Sequence, residues 1–146
     1  SAFILIMGDL FFDPKILPLA ASAEGDIVVT YDVKDSYVPE DSKAIVSGGR
    51  VDFMGKDIPP HETSGEFGHL IKFSDKGSKI FFDEIENFTN SNRSNSYLMD
   101  VINEIISRHI VVNALNITGY PRIEIDFQED YLEAVEKVLP RIHKGA

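Results

Sequence analysis

Three carboxylates and a lysine are the residues in this sequence best suited to chemistry. In Arg122-Ile123-Glu124-Ile125-Asp126-Phe127, the two-residue period of a strand puts Glu124 and Asp126 on one face, with Ile123, Ile125 and Phe127 on the other. Two acids that close repel unless a cation or solvent compensates them. Gly8-Asp9 follows the apolar run Phe3-Ile4-Leu5-Ile6-Met7, so Asp9 emerges beyond the carboxyl end of a buried strand, where open α/β sheets bind ligands. The glycine lets the backbone turn and a ligand come near. Hard oxygen donors of this kind suit Mg²⁺ or Mn²⁺, which take one or two carboxylates and complete their shells with substrate phosphates. Singly, Asp9 reads as well as a cap or loop start, and Glu124 with Asp126 as a solvated acidic edge. Together they make a divalent-cation site the expectation. Lys56, at the end of a hairpin strand and ahead of Pro59-Pro60, can meet a phosphate as a point charge or serve as an ordinary surface lysine. Gly65 and Gly68 bracket the next strand's entry and suggest close backbone approach. His61, His69, His109 and His143 show no metal-ligand spacing and read as surface or satisfied residues.

Composition narrows the function classes. The 146 residues carry a net charge of −10 and 43% apolar residues, with a pI near 4.7. This is a chain with a core, acidic enough to argue against a nucleic-acid surface or an anionic-membrane binder. Phosphate substrates stay open, because a carboxylate-held metal brings the missing positive charge. Without cysteine, thiolate catalysis, disulfides and cysteine zinc sites are out. Apolar runs fall short of a bilayer span, no signal segment is visible, and the expected location is cytoplasmic. Glycine-rich phosphate loops, GxSxG and HExxH are missing.

The elements that must position these groups follow from pattern. Residues 3–7 read as a strand buried on both faces. Asp13-Pro14 marks a capped helix running to about Glu24, closed by Gly25. Asp26 to Tyr31 is a second buried strand, so the opening reads as a βαβ unit of a parallel sheet. Gly48-Gly49 joins strands 43–47 and 50–54 as a hairpin. Residues 55–65 form a loop, and 67–73 a strand. Ser74 caps a helix to about Phe88, and Thr89 to Ser96 reads as a mobile loop. Ser96 caps a helix with the buried stripe Leu98, Val101, Ile102, Ile105 and Ile106. Strands 110–117 and 122–125 flank a Gly119-Tyr120-Pro121 turn. A last helix, about 129–139, buries Leu132, Val135, Val138 and Leu139 and stops at Pro140. The result is one α/β domain over residues 1–146.

In order along the chain, these segments resemble the nucleotidyltransferase family of the MobA-like, sugar-phosphate and phosphocholine cytidylyltransferase kind. Ile6-Met7-Gly8-Asp9-Leu10-Phe11-Phe12-Asp13 resembles its metal-binding Gly-Asp strand. Arg50-Val51-Asp52-Phe53-Met54-Gly55-Lys56 is similar to the hairpin leading to its substrate-phosphate lysine. Gly65-Glu66-Phe67-Gly68 resembles its acceptor-site strand, and Tyr97-Leu98-Met99-Asp100 its tyrosine-leucine-x-aspartate helix start. Glu124-Ile125-Asp126-Phe127-Gln128-Glu129-Asp130 is similar to its closing metal-ligand strand and helix.

The resemblance implies a Rossmann-like three-layer α/β/α mixed sheet of the nucleotide-diphospho-sugar transferase type. It implies Mg²⁺ or Mn²⁺ held by Asp9 and Asp126 with Glu124 in support. Asp9, Lys56 and Asp126 would then be catalytic, and Lys56, Glu66, Tyr97 and Asp100 would bind the acceptor. The implied reaction moves a nucleotidyl group from an NTP to a phosphorylated alcohol, phosphonate or sugar and releases pyrophosphate. Glu66, Asp100 and the Tyr97 ring also suit a cationic head. The family's glycine-rich nucleotide loop has no counterpart here and His69 stands where the family has an apolar residue. The expectation is therefore a truncated catalytic domain lacking the N-terminal nucleotide-binding strands, inactive alone and open to self-association at its uncovered edge. A non-catalytic binding or assembly domain is the alternative.

Overall fold

The structure, a computed structural model, describes residues 1–93 and 95–145. Its frame is a six-stranded mixed sheet in the order β1 (Phe3–Ile6), β6 (Gly65–Phe73), β3 (Ile27–Asp32), β7 (Asn113–Asn116), β5 (Arg50–Gly55) and β4 (Lys43–Ser47). β6 is buried along nearly its whole length, with apolar residues on both faces. A strand of that kind belongs in the middle of a sheet, and there it lies antiparallel to both β1 and β3. This corrects the expectation of a purely parallel opening unit. β1 and β3 run the same way but are separated by β6, and the parallel ladder is β3 with β7. β6 changes partners along its length, pairing β4 at Gly65 and Glu66 and β1 from Leu70 to Phe73.

Alternation along the strands divides the core. Ile27, Val29, Ile71 and Phe73 pack with Phe81, Phe88, Ile102 and Ile105 of the helices α2 (Asp75–Asn90) and α3 (Leu98–Ser107). Leu70 and Ile117 pack on the other face with Ile16 and Ala20 of α1 (Ile16–Ser22). Helices therefore cover both faces of a mixed α/β fold. The expected α3 stripe is in place. Ser74 caps α2 as its sequence suggests, accepting from Gly77 N at 3.0 Å. At the Gly48-Gly49 turn, φ of +56° and +76° gives the positive pair a two-residue hairpin needs.

Further expectations change. The regular turns of α1 start later and end earlier than expected, at Ile16 and Ser22, but Asp13 caps the segment as expected: its carboxylate accepts from Lys15 N at 3.0 Å and its carbonyl from Ile16 N at 3.0 Å. Leu10–Phe12 forms a short strand, β2, paired antiparallel with β8 (Arg122–Glu124). α3 is opened by Tyr97 rather than Ser96, because Asp100 takes the Tyr97 N–H at 2.8 Å. At the C-terminus, α4 (Gln128–Glu133) passes through a π-helical turn (Ala134–Val138) into α5 (Leu139–Lys144). The wider turn accommodates Pro140, which has no N–H to give, and the helix continues. The extra residue rotates its buried face onto Ala134 and Val138, leaving Leu132 and Val135 exposed. Thr89 and Asn90 extend α2, and Ser94 of the expected loop lies outside the described residues. Among those residues no helix is long and apolar enough to cross a membrane.

The β3–β6 ladder is broken at one place. Tyr31 pairs with Phe67 and Val29 with Ile71, so Gly68, His69 and Leu70 face the single residue Thr30. A Cβ on Gly68 would sit 2.3 Å from Thr30 Oγ1, and that hydroxyl is itself bound to Leu70 O at 2.7 Å. Gly68→Ala is expected to cost about 1–3 kcal/mol of stability, measured by urea unfolding. An unchanged midpoint would show that the bulge has slack.

Candidate functional site

The β2–β8 ladder places Leu10 opposite Glu124, and Ile125 N donates to Asp9 O at 2.8 Å just beyond it. Asp9 and Asp126, far apart in sequence, therefore meet at one open end of a two-stranded ribbon. Asp126 is held above the ordinary carboxylate value by partial loss of water, by the charges of Glu124, Asp9 and Asp130, and by a hydrogen bond with Asp9. Asp130 is already engaged, accepting from Asp126 N at 3.0 Å and Phe127 N at 2.9 Å to open α4.

Glu124 is engaged too. His69, 5% exposed, sets its Nε2 2.9 Å from Glu124 Oε1. That hydrogen bond, with the charges of His69, Arg122 and Lys56, holds Glu124 below the usual carboxylate range against its burial. The influence of Lys56 puts the lysine within electrostatic reach of this cluster. Among the described residues, no three His, Asp or Glu side chains stand together as a metal site. What the ribbon offers is a pair, Asp9 and Asp126, with Glu124 beside it and tied away.

Lys56, Glu66, Glu124 and Asp126 open onto one cleft of about 980 Å³. Its walls are charged but matched. Lys34 bridges Asp41 at 3.0 Å and Glu66 at 3.3 Å. Arg122 Nη2 lies 3.0 Å from Glu66, and its Nε lies 3.7 Å from Asp32 with no hydrogen-bond partner. A second cleft of about 580 Å³, between the end of β5 and α3, takes Lys56, Tyr97 and Asp100. The four residues expected around the acceptor are thus divided. Glu66 is in the first cleft, Tyr97 and Asp100 are in the second, and Lys56 borders both. Asp100 caps α3 and Tyr97 is largely exposed.

Several charged residues of the site were not singled out from the sequence. Arg122 shares strand parity with Glu124 and Asp126, and that signal could have found it. Lys34 and Asp41 lie in a connecting segment without periodicity. Lys43 is 2% exposed, and its ammonium donates to Lys56 O at 2.6 Å and Asp41 O at 3.2 Å. It ties the Lys56 backbone to the segment carrying Asp41. A lysine inside a strand pattern gives no hint of burial. His69 was legible only through its neighbour, since a glycine inside a strand marks a bulge.

The raised Asp126 has a consequence for stability. Its ionised form is disfavoured in the folded chain, so stability falls as pH rises from the unfolded value of 3.8 through the raised folded value. Without divalent metal, Asp126→Asn is expected to raise Tm at pH 7, with the gain shrinking to nothing as pH drops below 3.8. A Tm lowered at neutral pH would mean that Asp126 makes a stabilising contact instead.

Solved structures share this architecture. The inositol-1-phosphate CTP transferase from T. maritima matches with a TM-score of 0.74 at 21% identity, covering 100% of this chain and 58% of that one. The nucleoside-diphosphate-sugar pyrophosphorylase from Vibrio cholerae RC9 matches with a TM-score of 0.64 at 14% identity, covering 93% and 56%. HddC from Yersinia pseudotuberculosis matches with a TM-score of 0.62 at 21% identity, covering 94% and 55%. No protein-family model matches the chain, and neither does any curated protein. The chain spans little more than half the length of these solved proteins, and over that span it has the fold of nucleotidyltransferases.

Proposed function

We propose that this chain is the acceptor- and metal-binding part of a cytoplasmic nucleotidyltransferase of the cytidylyltransferase kind. In this reading the domain is a Rossmann-like three-layer α/β/α sandwich whose nucleotide-binding strands are supplied from outside these 146 residues. The reaction joins a phosphate or phosphonate oxygen of an alcohol, phosphonate or sugar acceptor to the α-phosphorus of an NTP, and pyrophosphate leaves. The observation that carries this reading is the β2–β8 ribbon, which sets Asp9 against Asp126 beside a cleft entered by Lys56. The shared fold with a CTP transferase and a nucleoside-diphosphate-sugar pyrophosphorylase supports the reaction class.

Two crowded carboxylates, one of them raised by lost hydration and by the acids around it, fit a hard divalent cation. With only two protein ligands the arrangement suits Mg²⁺ or Mn²⁺, which leave positions for phosphate oxygens. Asp9 and Asp126 would hold the ion, which when bound supplies positive charge to phosphate oxygens. Lys56 brings a second cation to the acceptor's phosphate and orients it for in-line attack. Lys34 and Arg122 compensate Glu66, which lessens its pull on a cationic head and leaves it able to accept from a hydroxyl.

Pyrophosphate release tests the division of labour. The chain alone is expected to give no appreciable transfer from CTP or another NTP to phosphocholine, aminoethylphosphonate or sugar phosphates, and robust turnover would overturn it. In a protein that also carries the nucleotide loop, Lys56→Ala should cost about ten-fold in acceptor kcat/KM, the worth of one charge-assisted hydrogen bond. NTP binding should be nearly intact. Equal loss of NTP affinity would move Lys56 to the nucleotide side.

A further inference from the structure

His69 is attached at three points, and all three lead to the carboxylate pair. Its carbonyl accepts from Met7 N at 3.0 Å, two residues before Asp9. Its Nε2 lies 2.9 Å from Glu124 Oε1, two residues before Asp126. Its Nδ1 lies 3.4 Å from Arg122 Nη1. Arginine only donates, so in the neutral ring Nδ1 accepts and the Nε2 proton points at Glu124; the charged ring keeps that Nε2 donor. The residue is buried and holds φ at +61° inside a strand, a region that few residues bearing a Cβ enter and that His, Asn and Asp enter more readily than the rest. Backbone strain of that kind persists only where its surroundings over-determine it. Gly68, closed in by Thr30, sets up the bulge that turns His69 toward Glu124.

We infer that His69 is a positioning residue that holds Glu124 off the Asp9–Asp126 pair, so that a divalent cation meets two carboxylates rather than three. This rests on the metal reading of Asp9 and Asp126. Ligand number and charge tune such a site. A third carboxylate would bind the ion more tightly and take a position that a phosphate oxygen needs. The backbone bond to Met7 survives any substitution that keeps the local conformation, so the ring's contribution can be removed alone.

Mn²⁺ by itself, with free ion counted by electron paramagnetic resonance, gives the test without reference to turnover. His69→Asn keeps a residue that tolerates positive φ but is too short to reach Glu124. It is expected to tighten Mn²⁺ binding on the order of ten-fold. His69→Asn with Glu124→Gln should return affinity to the wild-type level, and His69→Gln, whose amide reaches as far as Nε2, should stay there. Asp126→Asn should abolish binding in each background. Damage to the fold would weaken binding, so tightening that Glu124→Gln reverses has no merely structural explanation. Affinity unchanged or weakened by His69→Asn, or tightened without reversal, overturns the inference and leaves the metal reading standing. Wild-type binding indifferent to Asp126→Asn overturns both.

Discussion

The bulge in β6 is the constraint on which the rest of the molecule depends. Thr30 and its bond to Leu70 O leave no room for a side chain at residue 68, so the strand must swell and turn there. On one side of the bulge β6 pairs with β4, and on the other with β1. A regular β6 would continue along one neighbour and present His69 by simple alternation. The irregular one joins two ladders and gives His69 a carbonyl for β1 and a ring for β8. Sheet topology and site geometry are thus consequences of one local departure from strand geometry.

Charge is organised around the same point. The chain is strongly acidic, yet the acids lining its large cleft are mostly answered. Asp41 and Glu66 share Lys34, Glu66 also meets Arg122, and Glu124 meets His69. Arg122 is nearly buried, and a buried cation survives only among partners that repay its lost hydration. Asp9 and Asp126 stand apart: they sit against each other, Asp126 has its ionisation suppressed, and among the described residues no basic side chain is bonded to either. In a site where most acids are matched, the crowded pair is the place that calls for a cation from outside.

Much of this was legible in the sequence, and the reason for each success is local. Glu124 and Asp126 share strand parity, Gly48-Gly49 forces a hairpin, Ser74 caps α2, and the α3 stripe repeats at helical spacing. The Gly-Asp after β1 and the closing strand were expected to converge, and the β2–β8 ladder makes them converge. What stayed hidden was non-local. No local pattern says that β6 inserts between β1 and β3: residues 3–7 are as apolar as a strand buried on both faces, yet β1 is the half-buried edge of the sheet. The division of Lys56, Glu66, Tyr97 and Asp100 between two clefts was invisible for a similar reason. Asp100 is consumed as a cap and Glu66 as an ion-pair partner, and those competing uses exist only once α3 and Arg122 are in place. Pro140 misled because a π-turn absorbs it.

Lys43 shows how the two clefts are kept in register. A buried ammonium without a carboxylate partner is costly unless carbonyls replace its hydration shell. Here carbonyls from the 39–41 segment and from Lys56 do so. The same atom therefore solvates itself and sets the main chain of Lys56, the residue that borders both cavities. Lys34 and Asp41, anchored in that segment, wall the first cleft, while the backbone after Lys56 turns toward Pro59 and walls the second. The carbonyl cage is therefore part of one wall of each cleft. Lys56 thus borders both clefts with its main chain held and its side chain exposed.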